Sequence, residues 1–576
     1  MHKKIKNIFI ESAKKSLKSA TKDLADSFQL ERTKKRVFGD FSSNIAMVHA
    51  KSESLRPIDL AKEIIANIPK NDLIEKMEVA GPGFINIYLK PSIYHETLKN
   101  IVMYPLLFGH QKKDRPRKIL VEFVSANPTG PLHVGHGRGA AFGSSLINIL
   151  KAMGDDVHSE YYVNDSGRQM DILAISIYLK YLLLNGVALR YPPNCYQAQY
   201  IDEMALQIND THKNQLASYA NDIIKISMDD FEDEERIDAL IKYTKDTLKL
   251  DYDIFLNLGL DTILKDIKND LEEFGVTFDR WVSEKTFLDE KKIEGAIALL
   301  EKNGFTYIKD GATWFASEKC GDDKDRVLYR ENGAPTYFAC DLAYHLDKLD
   351  RNFDQIIDIW GADHHGYIHR VKSSIRAAGY DESKLKVLLI QFVSLFKDSK
   401  KLQMSTRSGN YITLRELRRE VGNDAARLFY TSRSNDQHLD FDMTLAQKQS
   451  NENPVFYIQY AHARTSSIIQ NQQIPIADIL KNADPSLLNS DQEIALMVEL
   501  SKFPEIIEHA SHHYAPQYLI AYLSEISSLF HSNYAANKIL IEDSDLRNAR
   551  IMLCYAAKCV VKNGLTMLGV HAPESM

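Results

Sequence analysis

One stretch limits this chain's fold more than any other: KILVEFVSANPTGPLHVGHGRGAAFGSSLINILKAMG, residues 118–154. Its opening run, 118–124, is apolar and rich in β-branched residues, as a buried strand requires. A proline- and glycine-rich loop follows, and from Val134 apolar residues recur at helical spacing until Gly154 stops the element. Strand, tight loop and helix start make the first unit of a Rossmann-type nucleotide-binding α/β domain. The helix opens with PLHVGHGRG, so His133 and His136, three residues apart, share one face. Gly135 removes a side chain where a flat base could lie, and Gly137 and Gly139 keep the first turn open. A helix N-terminus offers free N–H groups and a partial positive charge to an anion. The pattern predicts an ATP triphosphate site in which both imidazoles donate to phosphate oxygens. The plain alternative is a pair of surface histidines near a turn; the preceding strand and the loop SANPTGP argue against it.

The chain has 576 residues, room for roughly three or four domains. Residues 1–110 read as a small α+β unit: a helical start over 3–28, a helix through DLAKEIIANI, and a hairpin in MEVAGPGFINIYLK, where Gly81-Pro82-Gly83 separates two extended runs. FGHQKKDRPRK (108–118), charged and holding Pro116, reads as a linker. The α/β domain is expected over 115–450, with a helical insertion at about 166–325 that carries the acidic run DDFEDEER. Extended segments return at ATWFAS, APTYFACDLA and QIIDIWGADHHG, and 451–576 shows helical periodicity throughout, an all-α domain.

Hydrophobic residues make up 44% and charged residues 26%, the balance of a globular chain. No apolar run approaches the ~18 residues of a membrane span. The N-terminus MHKKIKNIFIESAKKSL lacks an apolar signal core and, with Lys in place of Arg and Glu11 present, does not read as a transit peptide. A cytoplasmic location is expected. Five cysteines are scattered without a CxxC pair, which argues against a disulfide framework and against zinc. The net charge of −7 leaves any nucleic-acid binding to local basic patches.

Two further segments carry chemistry. In WGADHHGYIHR, His364, His365 and His369 suggest a metal cluster, but no Cys or Glu accompanies them at zinc spacing. Gly361 and Asp363 at the end of an extended run suit adenosine better. In TYFACDLAYH, Tyr337 and Asp341 stand four apart; on a helix, hydroxyl and carboxylate would meet on one face, a fork for a planar cation.

The segment HVGH resembles the HIGH motif of class I aminoacyl-tRNA synthetases. With EYYVNDSGRQ, DGATWFAS, GDDKDRVL, APTYFACDLAYHLDK and WGADHHGYIHR, the chain resembles the bacterial arginyl-tRNA synthetases, from GDFSSNIAM near its start to LGVHAPESM at its end. The resemblance implies a Rossmann catalytic domain, an N-terminal module that touches the outer corner of tRNA, and a helical anticodon-binding domain. It implies that Tyr337 and Asp341 contact a guanidinium and that Glu122 faces the substrate. Ser125 and Asn127 would lie near its α-amino or carboxylate end, His136 beside it, and His365 would add a further pocket residue. Gly135, Gly137, Gly361, Asp363 and Met404 would bind ATP. Such a pocket leaves buried acceptors unpaired when the wrong amino acid enters, which can discriminate by ~10⁴-fold without editing.

LQMSTRSGN, 402–410, stands where the family carries its mobile KMSKS loop: Met404 and Ser405 match, while Gln403 and Thr406 replace lysines. Two cations fewer beside a triphosphate weaken transition-state stabilisation unless something substitutes. Arg407 is the nearest always-charged donor; Lys400, Lys401 and Lys118 are other candidates. An active loop led by Arg407, assisted by Ser405 and hinged at Gly409, is expected. The implied chemistry is attack of the L-arginine carboxylate on ATP, with Mg²⁺ and bound tRNA(Arg), then transfer to the terminal adenosine by a monomer. In YIQYAHAR, Tyr457, Tyr460 and Arg464 fall on one helix face, an arrangement that is ordinarily core but also suits unstacked bases. Three alternatives are less consistent with the sequence. Length and the second loop oppose another H-x-G-H nucleotidylyltransferase, and intact His133, His136 and Asp341 oppose a non-catalytic tRNA-binding relative. The acidic pocket opposes a class I enzyme for an apolar amino acid.

Overall fold

A computed structural model describes residues 2–17, 24, 27–33, 35–218, 220–402, 412–472 and 474–576. Its centre is a five-stranded sheet made of β1 (Lys118–Glu122), β2 (Asp156–Val163), β3 (Arg280–Ser283), β4 (Gln355–Gly361) and β5 (Leu385–Ile390). All pairings are parallel, in the order β5-β4-β1-β2-β3. The chain leaves β1 toward β2 and β3, then returns to build β4 and β5 on the other side. In such sheets ligands bind where the order reverses, at the strands' carboxyl ends beside β1 and β4. Side chains alternate between the two faces: Ile119 and Val121 enter one core, Leu120 the other. α1 (Val134–Ala152) belongs to the first core and α2 (Tyr337–Asp350) to the second.

The α2 side of the sheet carries an unusual load. Asp358, Glu122 and Glu160 align in register across β4, β1 and β2, and all three are buried. Carboxylates in such a place must be paired. The lower half of α2 supplies the partners. The fully buried Lys348 Nζ donates to Glu122 Oε2 and, at 2.8 Å, to Asp358 Oδ1. His345 Nε2 lies 2.9 Å from Asp358 Oδ2, and Tyr344 donates to Glu160 Oε1 at 2.8 Å. Arg351, at the C-cap of α2, donates to both Glu160 oxygens at 2.5 and 2.9 Å. Burial alone would lower the Lys348 ammonium; the Asp358 and Glu122 carboxylates overcome it and hold the group above its ordinary value.

The sequence reading needs three corrections. The helical insertion is shorter than 166–325: its long helices run from Arg168 to Glu273, and Arg280–Ser283 returns to the sheet as β3. That strand is four residues long and shows no alternation strong enough to read. APTYFACDLA is not extended; Thr336 caps the start of α2 by accepting from Ala339 N. The first helix ends at Ser16, short of the span 3–28.

Around the parallel-sheet body sit an antiparallel four-stranded sheet with helices at the N-terminal side and, from Pro454 to Met567, six further α-helices among the described residues. The hairpin about Gly81–Gly83 forms as expected, Ile74–Ala80 against Phe84–Leu89. Arg32 ties the two outer units by an ion pair to Glu505 at 2.7 Å. All five cysteines are buried, and burial raises the thiols, that of Cys195 to about 12. Among the described residues no helix is long and apolar enough to cross a membrane. Replacing Lys348 by Met strands two buried carboxylates, and the urea midpoint of unfolding falls, by about 3–5 kcal/mol in stability. An unchanged midpoint would mean that the carboxylate row does not depend on this ammonium.

Candidate active site

The histidine pair forms a reciprocal cap. His133 is the N-cap of α1, and its Nδ1 accepts from Gly135 N (3.1 Å) and His136 N (3.4 Å). His136 Nδ1 in turn accepts from His133 N at 3.3 Å. The rings stack with centroids 3.6 Å apart. Because each Nδ1 is an acceptor, each ring's proton sits on Nε2, which makes that nitrogen the donor of each imidazole. Burial lowers both imidazoles below the usual histidine range, and His133 adds a further depression at His136. The pair is therefore a neutral double donor at neutral pH. Gly137 has another task than keeping a turn open: a Cβ there would come within 2.7 Å of Leu414 and 2.8 Å of the Tyr430 hydroxyl. Gly139 has open space at its Cβ position. On the far side of α1, Arg138 donates to the carbonyls of Gln391 (2.7 Å), Gln437 (2.8 Å) and Ser434 (2.8 Å), and burial brings its guanidinium down to about 10.

An acidic pocket lies at the first turns of α2. Tyr337 and Asp341 share a face as the spacing requires, with Tyr337 half exposed and Asp341 half buried. Tyr367 donates its hydroxyl to Asp341 Oδ2. Burial pushes the Asp341 carboxyl up against the pull of Tyr367, His345 and Lys348. A second acid was not singled out in the sequence: Glu284, at the carboxyl end of β3. It is almost wholly buried, and its Oε2 has no hydrogen-bond partner. Burial, with the nearby Asp341 charge adding to it, raises this carboxyl to about 7. Two elevated carboxyls with a phenol at the mouth form a pocket that a planar cation would neutralise. The only sequence signal for Glu284 would have been the strand before it, WVS, and that strand went unread.

The loop after β1 is bent hard. Val124 and Ser125 both take positive φ, 69° and 39°. The bend turns Ser125 Oγ back to donate to Glu122 Oε1 at 2.8 Å and to accept from Tyr162 N at 3.1 Å. The Glu122 carboxylate is buried and accepts from Lys348 and Ser125. Asn127 is exposed and reaches Gln169 Oε1 at 2.8 Å, bridging to the insertion. At the end of β4, Gly361, Asp363 and His365 are exposed at the sheet's carboxyl edge. A cleft of about 650 Å³ opens there, lined among others by Asp322, Arg326, Asp363, His364 and Tyr367. His133, His136, Ser125, Asn127, Glu284, Gly361, Asp363 and His365 thus all follow the carboxyl ends of strands of one sheet, and Tyr337 and Asp341 start the helix that covers it.

Lys118 is excluded as a substitute cation near the phosphates. It is the first residue of β1, at the opposite edge of the sheet, where its N–H meets Asp354. Lys400 and Lys401 form a short strand paired with Val393–Lys397 and lead into residues 403–411. Gln403, Met404, Ser405, Thr406, Arg407 and Gly409 lie outside the described residues. Among those described, no group of three or more His, Cys, Asp or Glu side chains is placed to hold a metal ion.

Tyr457, Tyr460 and Arg464 are half exposed on the helix Pro454–Gln470. The Tyr460 ring stacks with His531 (centroids 5.6 Å), and Arg464 lies over Tyr460 (5.4 Å) and Tyr534 (4.1 Å). Aromatic rings interleaved with a guanidinium make a surface on which bases can stack.

Three family profiles match consecutive parts of the chain: an arginyl-tRNA synthetase N-terminal domain over residues 4–89, a class I (R) tRNA synthetase catalytic domain over 97–466, and a DALR anticodon binding domain over 458–576. An arginine–tRNA ligase of Azoarcus sp. strain BH72 is 47% identical, with 99% of each chain covered. One of Thioalkalivibrio sulfidiphilus is 46% identical, with 96% of each covered. The arginyl-tRNA synthetase of Thermus thermophilus, 20% identical, shares the fold over the full length of both chains with a TM-score of 0.71. Profile and relatives agree over nearly every residue, and the chain belongs to the class I arginyl-tRNA synthetase family.

Proposed function

We propose that this protein is an arginine–tRNA ligase that activates L-arginine with ATP and transfers it to the terminal adenosine of tRNA(Arg). The observation that carries the substrate assignment is the pair of elevated carboxyls, Asp341 and Glu284, to which no cation among the described residues is hydrogen-bonded. A guanidinium entering between them and Tyr337 meets a fork of acceptors and favours the ionised form of both carboxyls. At the sheet's carboxyl edge the neutral His133 and His136 present Nε2–H donors to the triphosphate. They stabilise charge that grows as the arginine carboxylate attacks the α-phosphorus and pyrophosphate leaves. The protein positions and stabilises; no covalent intermediate on a side chain is required. Magnesium enters with the nucleotide, neutralising phosphate charge, since the described side chains offer it no cage of their own. Arg407 completes the anion site from the 403–411 segment. The N-terminal domain, to about residue 110, contacts the outer corner of tRNA. Tyr457, Tyr460 and Arg464 receive anticodon-loop bases. On this proposal the enzyme is a monomer in the cytoplasm.

ATP–pyrophosphate exchange with each amino acid, with and without tRNA(Arg), tests the assignment. Exchange is expected with arginine alone among them; exchange driven by lysine or glutamate would overturn it. Arg407→Ala is expected to slow exchange by about 10²–10³-fold, and an unchanged rate would remove Arg407 from the site. Because Glu284 titrates near 7 without substrate and a bound guanidinium favours its ionised form, arginine binding releases a proton. The KM for arginine therefore rises as pH falls from 8 to 6. Glu284→Gln raises KM at pH 8 and flattens that profile; a variant with the unaltered profile would exclude Glu284 from the pocket.

A further inference from the structure

The last helix of the C-terminal domain, Ser544–Met567, ends directly against the histidine-bearing helix. Asn148 of α1 donates to Met567 O at 3.1 Å, and Ser145 to Leu568 O at 3.3 Å. Leu568 O also accepts from Arg427 Nε at 3.0 Å. Arg427 lies on α3 (Asn423–Thr431), which follows the 403–411 segment. Its guanidinium is buried and bonded to no carboxylate. Nη1 donates to Phe274 O at 2.8 Å, at the end of the insertion helix Tyr252–Glu273, and Nη2 to Ser144 Oγ of α1 at 2.6 Å. Two helix C-termini thus aim their partial negative ends at one cation. Burial lowers the group, though only to about 10, so it stays charged at neutral pH. Gly569 lies flat against it, where a Cβ would overlap the guanidinium. Insertion, α1, α3 and C-terminal domain meet at this side chain.

The two ends of α3 reach opposite functional regions. Near its start, Asp424 accepts from His571 N at 2.9 Å and from Gln459 Nε2 at 2.8 Å. Gln459 belongs to the helix that carries Tyr457, Tyr460 and Arg464. One turn beyond Arg427, the Tyr430 hydroxyl donates to Val134 O at 2.8 Å, and its ring packs on Gly137. Val134 and Gly137 lie in the turn that His133 and His136 cap.

We propose that α3 is the link through which RNA on the Tyr457–Tyr460–Arg464 face sets the position of His133 and His136, with Arg427 and Tyr430 as its positioning residues. This rests on the assignment of that face to the anticodon arm. A packed helix moves as a unit, so a shift of the C-terminal helices tilts α3. The tilt acts on the carbonyl of Val134 and therefore on the imidazole pair. The fork of Arg427 is essential because one planar cation must hold three acceptors at once; lysine keeps the charge and loses the geometry.

The test compares arginine-dependent ATP–pyrophosphate exchange by the full-length enzyme with intact tRNA and with an acceptor-arm minihelix that lacks the anticodon arm. The wild-type rate is expected to be about tenfold higher with intact tRNA. In Arg427→Lys and Tyr430→Phe the ratio falls toward one through a lower kcat, while the minihelix-driven rate, the KM for ATP and the Kd for tRNA hold. A wild-type ratio near one, a full ratio in both variants, or a collapse matched by weaker tRNA binding each overturns the proposal. Should Arg427→Lys fail to fold, Tyr430→Phe, which removes one oxygen atom, decides the matter. Absence of arginine-dependent exchange in the wild type with either RNA would instead overturn the functional assignment.

Discussion

The catalytic domain depends on how three buried carboxylates in one row are paired inside it. Asp358, Glu122 and Glu160 stand side by side because parallel strands in register put equivalent positions on the same face. Left alone they would repel each other and the low-dielectric core around them. Lys348 bridges Glu122 and Asp358, and Arg351, one turn further on at the C-cap of α2, holds both oxygens of Glu160. The arrangement fixes more than stability. It sets the height and rotation of α2 on the sheet, and so the place of Asp341 and Tyr337, about two and three turns above Lys348. The face that carries Tyr337 and Asp341 is thus aimed by residues lower on the same helix.

Much of this was legible beforehand, for physical reasons. The strand–loop–helix unit at 118–154 announces itself because a buried strand, glycine tolerance and helical periodicity occur in one line of sequence. The hairpin at Gly81–Gly83 and the helical C-terminal region are equally local. What stayed hidden is non-local. β3 is too short to show a period, and with it went Glu284, whose meaning depends on burial beside Asp341. The partner of Glu122 stayed hidden because nothing in its neighbourhood reveals Lys348, which lies 226 positions away. Lys118 looked near the phosphates because sequence distance along a strand does not tell which edge of the sheet a residue occupies.

A common device recurs at the junctions. Arg138 and Arg427 are buried without carboxylates and are instead surrounded by backbone carbonyls. A guanidinium spreads its charge over a plane and carries five donors, so it can close several chain ends at once. The fold uses it where independent segments must hold a fixed mutual geometry around α1.

The corner at Val124 and Ser125 has a cost of its own. Two consecutive side-chain-bearing residues in the left-handed region are disfavoured by about 1–3 kcal/mol each. A β-branched valine is among the least suited to it. Glycine at Val124 would relax the corner, but the relaxed corner could swing Ser125 away from Glu122 and unseat the floor of the cleft. The tension in this bend therefore sets a ceiling on robustness: heat-hardening selection on this chain should leave the valine untouched and find its gains elsewhere.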